Sequence, residues 1–305
     1  MRLICVHDGA FHADDVMGAA ILELLYPEAT VLRSRDPLVW ARCDALVDVG
    51  GEYDPDRNRF DHHQKGFAEQ RDAAQDAIPF AGAGLVWRSY GAQCVQRCCP
   101  TLNIDAALHI AKQVDEALIR HIDAVDSGIQ VPGPQDFSFT GIINTFNTTW
   151  LEDDDGQLRF ETAVGLAQGV LCRLIRAKAA EWAAQAEVLS AETACDGRVL
   201  VLSRPRVPFD HTVCAHLPDV RFVVYPASND RQHQLRVVPV TPGSFVARAQ
   251  LPAAWAGLRD EELASVTGVR DAVFCHNGRF IAGAASKEGA MMLAKLALIK
   301  LKGDA

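Results

Sequence analysis

Apolar positions recur in two rhythms along the first half of the chain. Leu3-Ile4-Cys5-Val6 is a short unbroken apolar run. Ala29 to Leu32 and Ala45-Leu46-Val47-Asp48-Val49 repeat it, the last broken by Gly50-Gly51. Runs of this length, bounded by polar or glycine-rich turns, predict buried strands. Between the first two, Val16 to Leu25 has helical character and stops at Tyr26-Pro27, where proline cannot continue the hydrogen-bond ladder. Phe80 to Cys99 and Asp105 to Ala124 predict two more helices, the second closing at Asp126-Ser127-Gly128 before a loop through Pro132, Gly133 and Pro134. Leu158 to Glu192 lacks proline, and Phe160, Val164, Ala167, Leu171 and Leu174 recur along it at helical spacing. Strands alternating with helices predict an α/β fold, with a parallel sheet and helices on both faces.

From Gly197 the rhythm changes. Val199 to Leu202, Phe222 to Tyr225 and Leu235 to Val240 predict strands separated by Pro, Asp and Asn turns, and Lys287 to Leu301 predicts a closing helix. At 305 residues the chain exceeds what one hydrophobic core usually holds. We therefore expect a larger domain over residues 1–193 and a smaller α/β domain over 194–305.

Composition narrows the function classes. No apolar run approaches the ~18 residues of a membrane span, and a strand that starts at Leu3 leaves no room for a signal peptide. The nine cysteines are odd in number and form no C-x-x-C pair, which predicts reduced thiols and a cytoplasmic location. A net charge of −9 argues against a broad basic surface for long duplex nucleic acid. It leaves room for a small anionic substrate, because an acidic site filled with divalent cations becomes locally electropositive.

The candidate chemistry lies at the predicted strand ends. His7, His12, Asp14 and Asp15 fall in the loop after the first strand, and Asp48 ends another. Asp61-His62-His63 follows a turn, and Asp123 and Asp126 close a helix. In open α/β sheets ligands bind beyond the carboxyl ends of the strands, so these residues can converge. Carboxylates and neutral imidazoles suit divalent Mn, Mg, Co or Zn. Two such ions sharing a carboxylate, ~3.5–4 Å apart, can generate hydroxide and hold both ends of an in-line phosphoryl displacement.

These residues, with Asp48-Val49-Gly50-Gly51-Glu52-Tyr53-Asp54-Pro55, Arg59-Phe60-Asp61-His62-His63-Gln64, Ile122 to Gly128 and Phe146-Asn147-Thr148-Thr149-Trp150, resemble the DHH phosphoesterase superfamily. Within it the chain looks closely like the Myg-one family of metal-dependent exonucleases. Val238-Pro239-Val240, Pro242 to Phe245 and Gly257 to Leu263 extend the resemblance over nearly the whole chain. It implies a catalytic domain followed by an accessory substrate-binding domain, two divalent cations with Mn²⁺ favoured over Mg²⁺ or Co²⁺, and 3′-to-5′ exonucleolysis of RNA or short oligonucleotides. It also implies metal ligation by His7, His12, Asp14, Asp48, His62 and Asp126, with Asp48 bridging and Asp126 a better match than Asp123. His63 would face the substrate as a donor to the leaving oxygen, and Asp61 would orient an imidazole. The first motif departs from the superfamily's pattern of His, three residues, Asp, one residue, Asp. Here His7, four residues, His12, one residue, Asp14 puts a histidine where the first aspartate is expected.

Substrate contacts are expected at two places. Asn147 and Trp150 can hold a base or sugar, or anchor a buried loop. In the second domain a glycine-rich turn opening a helix, with His276, Arg279 and Lys287, resembles the superfamily's substrate-gripping motif and offers N–H groups and charge to a phosphate. The alternatives are a small-molecule phosphohydrolase acting on pyrophosphate or a nucleotide, and an inactive metal- or nucleotide-binding module.

Overall fold

A computed structural model describes residues 1–71, 78–130, 133–134, 137–228 and 231–303; Pro132 of the expected loop lies outside them. Contacts divide the chain into two compact units, Met1–Ala179 and Ala180–Ala305.

The first unit holds strands β1 (Leu3–Val6), β2 (Thr30–Arg33), β3 (Ala45–Val47), β4 (Tyr53–Asp54) and β5 (Arg59–Phe60) in the order β2-β1-β3-β5-β4. All neighbours are parallel except the β4–β5 hairpin at one edge. Side chains alternate across the sheet as the pleat requires. Ile4, Val6, Val31, Ala45 and Val47 enter the main core, whereas Cys5, Leu32 and Leu46 join a small cluster on the other face. Helices cover the two faces unequally. Helices α1 (Ala13–Leu25) and α3 (Gly82–Cys98) belong to the main core, and the one-turn α2 (Pro37–Trp40) contributes Val39 and Trp40 to the small one.

Helix α1 begins three residues before its apolar rhythm does. His12 is its extended N-cap, and Asp15 Oδ1 accepts from the His12 and Val16 N–H groups, both at 2.8 Å. Asp14 and Asp15 therefore lie inside a buried first turn, not in an exposed loop. The single helix expected over Asp105 to Ala124 is three segments: α4 (Ile104–Val114), a π-helical stretch Asp115–Ile119, and α5 (Arg120–Asp126). A π turn inserts an extra residue per turn, and here it carries Asp115, which pairs with Arg71. Helix α6 (Phe139–Asn144) and the long α7 (Gln157–Ser190) complete the unit, α7 running on into the second one.

The second unit is a six-stranded sheet ordered β10-β11-β9-β8-β7-β6, with β6 (Glu192–Ala194), β7 (Val199–Val201), β8 (Phe222–Pro226), β9 (His233–Val237), β10 (Ala272–Cys275) and β11 (Ile281–Ala284). Only β7 and β8 are parallel. Helices α8 (Asp210–His216), α9 (Asp260–Thr267) and α10 (Lys287–Gly303) accompany it. Ile281–Ala284, read from sequence as part of a glycine-rich turn, is strand. A Cβ at Gly283 would lie 2.6 Å from the Phe274 ring, so glycine there makes room for a packed aromatic. All nine cysteines are free, and among the described residues no helix is long and apolar enough to cross a membrane.

Candidate metal centre

The parallel sheet gathers the candidate residues at the carboxyl ends of its strands. His7 directly follows β1, Asp48 directly follows β3, and Asp61 follows β5. Asp48 has φ +55°, a left-handed conformation rare outside glycine, and Gly50 and Gly51 continue with positive φ. The turn points the Asp48 carboxylate into the middle of three imidazoles. Its Oδ2 is 3.3 Å from His7 Nε2, and its Oδ1 is 3.2 Å from both His62 Nε2 and His63 Nδ1. His62 Nε2 also lies 3.3 Å from Asp126 Oδ2.

Three sets of side chains bring one ligand atom each to within 4.8 Å of one another: His7, His12 and Asp48; Asp48, His62 and His63; His12, Asp14 and Asp126. The structure thus brings together all six residues expected to ligate metal, with Asp48 and His12 each shared by two sets. Asp123 lies elsewhere. Its carboxylate accepts from Arg71 Nη2 at 2.6 Å and from the Gly84 N–H at 3.0 Å, which makes it a structural ion pair.

Asp61 and His63 form a second layer. Asp61 Oδ2 accepts from the Gly51 N–H at 2.5 Å. Asp61 Oδ1 is 2.9 Å from both the backbone nitrogen and Nδ1 of His63. This fixes the His63 ring through Nδ1, on a side chain that is 63% exposed.

The electrostatics are unfavourable without a cation. Burial, with Asp48, Asp126 and Asp15 close by, pushes the Asp14 carboxyl well above its usual range. Burial raises Asp15 to about 7, against the pull of His7. Burial also works against ionised Asp48, but the imidazoles of His62, His63 and His7 beside its oxygens outweigh it and hold that carboxyl well below the usual range. The Asp48 carboxylate beside it raises His63 to about 9. Both oxygens of Asp14, Asp15 Oδ2, Asp48 Oδ1 and His62 Nε2 are buried without a hydrogen-bond partner. Buried polar atoms are almost always satisfied, and so many orphans on oxygen and imidazole nitrogen match the donor set of a divalent cation.

The centre lines a cleft of about 600 Å³ with His7, His12, Asp48, Asp61, His62, His63 and Asp126 on one side. Arg35, Trp40, Val49, Gly50 and Gly51 complete the lining. Sequence reasoning missed Arg35 and Trp40, which lie outside every motif. It also missed Gly82, the first residue of α3, where a Cβ would sit 3.1 Å from Asp48 Cβ and 3.2 Å from Asp14 Oδ2. The small-residue run Ala81-Gly82-Ala83-Gly84 carries that signal. Gly82→Ala is expected to push against Asp48 and Asp14 and weaken Mn²⁺ affinity about 10-fold with the fold intact, as altering a ligand's supporting contacts does. Calorimetric titration beside circular dichroism checks this; unchanged affinity would show that the neighbours yield freely.

The expected substrate residues are placed as follows. The Asn147 side chain is bound at both ends to the Phe11 backbone, accepting from its N–H and donating to its carbonyl at 2.8 Å each, so it anchors the loop that carries His12. Trp150 is 91% exposed. In the second unit His276 and Arg279 sit in and beside the β10–β11 turn, His276 stacking on Phe280, while Lys287 starts α10 and lies 3.7 Å from Glu192. The N-terminus of α10 already holds a carboxylate, because Asp271 Oδ2 accepts from the Ser286 N–H and hydroxyl.

The MYG1 exonuclease family model, described as an uncharacterised protein family (UPF0160), matches residues 3–298. MYG1 exonuclease of Homo sapiens is 32% identical over 321 residues, covering 97% of this chain and 85% of the human one. That of Rattus norvegicus is 33% identical over 97% of this chain and 84% of its own. Among solved structures, RecJ in complex with Mn²⁺ from Thermus thermophilus aligns at TM-score 0.30 and 16% identity, over 99% of this chain and 52% of that one. Likeness at that level carries no conclusion about chemistry.

Proposed function

The chain belongs to the MYG1 exonuclease family, and from that premise we propose that it is a divalent-metal-dependent phosphodiesterase that removes nucleotides from the 3′ end of RNA or short oligonucleotides. Its relatives named MYG1 exonuclease support a hydrolytic nuclease or phosphoesterase. The observation that carries the metal chemistry is the Asp48 carboxylate, with His7 on one oxygen and His62 and His63 on the other.

His7, His12, Asp14, Asp48, His62 and Asp126 would hold two cations, Mn²⁺ favoured, with Asp48 shared. When bound, such ions polarise phosphoryl oxygens and lower the pKa of a water to the neutral range. The protein's own groups do the rest. Asp61 holds the His63 ring through Nδ1, which would place Nε2 to give a proton to the leaving oxygen. In the second unit, His276 and Arg279, on the β10–β11 turn, would offer charge to a phosphate, whereas Lys287 lies at the other end of β11. The free thiols support a cytoplasmic setting.

The test is a Mn²⁺-dependent assay on labelled single-stranded RNA, DNA, dinucleotides and pyrophosphate. We expect stepwise release of mononucleotides from the 3′ end of RNA and cleavage of dinucleotides, with slow or no release of orthophosphate from pyrophosphate. Pyrophosphate as the preferred substrate would overturn the exonuclease reading. Metal binding with no turnover on any of these would favour an inactive binding module.

A further inference from the structure

Two side chains that line the cleft, Trp40 and Arg35, take no part in the metal chemistry. We propose that Trp40 and Arg35 form the cleft's nucleoside-recognition surface, the indole stacking on a base and the guanidinium pairing with the phosphodiester beside it. This rests on reading the cleft as a phosphodiester site and goes further by stating what selects the substrate.

Size and charge carry the inference. A cleft of about 600 Å³ is in the range that encloses ligands of nucleotide size. Pyrophosphate is much smaller and concentrates several negative charges, which a protein meets with several cations. Arg35 is the one lysine or arginine among the residues lining this cleft. Beside the two cations that the centre would hold, one guanidinium suits the single charge of a phosphodiester. The lining also carries an aromatic surface that a phosphate has no use for. Trp40 is partly buried against Cys5, Cys43, Leu46 and Val49, and its indole N–H donates to the Ser34 carbonyl at 2.8 Å. The ring is thereby fixed before any ligand arrives, which lowers the entropy lost on stacking. Arg35 is less committed. Its guanidinium lies 3.1 Å from Asp8, but both side chains are more than half exposed, and such pairs are weak enough to exchange for a phosphate.

Base–aromatic stacking is worth ~1–3 kcal/mol per base, or roughly 5- to 150-fold. The probes are diadenylate and an abasic dinucleotide with the same phosphodiester, tested for cleavage by the Mn²⁺-loaded protein and for binding as non-hydrolysable phosphorothioate analogues. We expect the wild type to favour diadenylate by a factor within that range in both binding and kcat/KM. Trp40→Leu keeps an apolar side chain in the small core, and should collapse the ratio toward one; Trp40→Phe should restore part of it. Arg35→Gln, a change at an exposed position, should weaken binding of both probes and flatten the salt dependence. A wild type that does not distinguish the probes, or a Trp40→Leu variant that retains the preference, overturns the inference while leaving the phosphodiesterase reading intact. Failure of the wild type to cleave either probe overturns the reading itself, and the inference with it.

Discussion

Asp48→Asn is expected to lower kcat/KM on short RNA by on the order of 10³-fold, about 4 kcal/mol of transition-state stabilisation. Asp48, like His12, belongs to two of the three ligand sets, so its loss removes a donor from both at once. Asparagine is the informative replacement. It keeps the shape of the side chain and tolerates the left-handed backbone that Asp48 adopts at φ +55°, whereas alanine would add strain. The fold should therefore survive, and thermal denaturation of the metal-free variant should show a transition as sharp as the wild type's. Activity within a few-fold of wild type would mean that Asp48 does not bridge.

Asp14→Asn should separate stability from function in the opposite direction. Asp14 is 1% exposed, has no partner on either oxygen, and faces Asp48, Asp126 and Asp15. Without metal the folded chain must bind a proton at Asp14 that the unfolded chain has released, a cost at neutral pH that asparagine does not carry, so metal-free Asp14→Asn should melt above metal-free wild type, by roughly 2–4 °C for each kcal/mol released. Its gain in Tm on adding Mn²⁺ should shrink sharply, and activity should fall with it. A variant that melts lower without metal would show that Asp14 has a structural role instead.

The same groups set the pH dependence of the metal-free protein. Asp15 and Asp123, each raised to about 7, bind protons in the folded state that the unfolded chain has released above about pH 4. His63, raised to about 9, does the same between about pH 6.5 and 9. All three act with one sign, because a folded state that binds more protons loses stability as pH rises. Metal-free Tm should decline between pH 5 and 9 on account of these groups, and the Mn²⁺-induced gain in Tm should grow over the same range. A metal-free Tm that rises across it would contradict the placement of these carboxyls.

How much of this was legible in the sequence depended on whether the signal was local. His7 and Asp48 each end a strand that the apolar runs predict, so run and polar end identify them together, whereas Asp61 to His63 read as following a turn and instead follow the two-residue β5. The start of α1 was obscured by its own chemistry. Asp14 and Asp15 read as loop because acids seldom lie in a buried helical turn, yet both lie in the buried first turn of α1. Arg35, Trp40 and Gly82 were illegible for a different reason: tertiary packing, not spacing, brings β2, α2 and α3 to the cleft. In the second unit Gly283 looked like turn chemistry, and its cause is the Phe274 ring against β11. The accessory resemblance around His276 and Arg279 thus falls on a β10–β11 turn, apart from the start of α10.

The central claim is that one carboxylate-and-imidazole cluster holds the cations on which cleavage depends. Calorimetric titration of the metal-stripped protein with Mn²⁺, wild type beside Asp48→Asn, tests it most directly. The structure leads us to expect two ions per chain for the wild type and at most one, bound more weakly, for the variant. Wild type that takes up no Mn²⁺, or a variant that binds two ions as tightly as wild type, would contradict it.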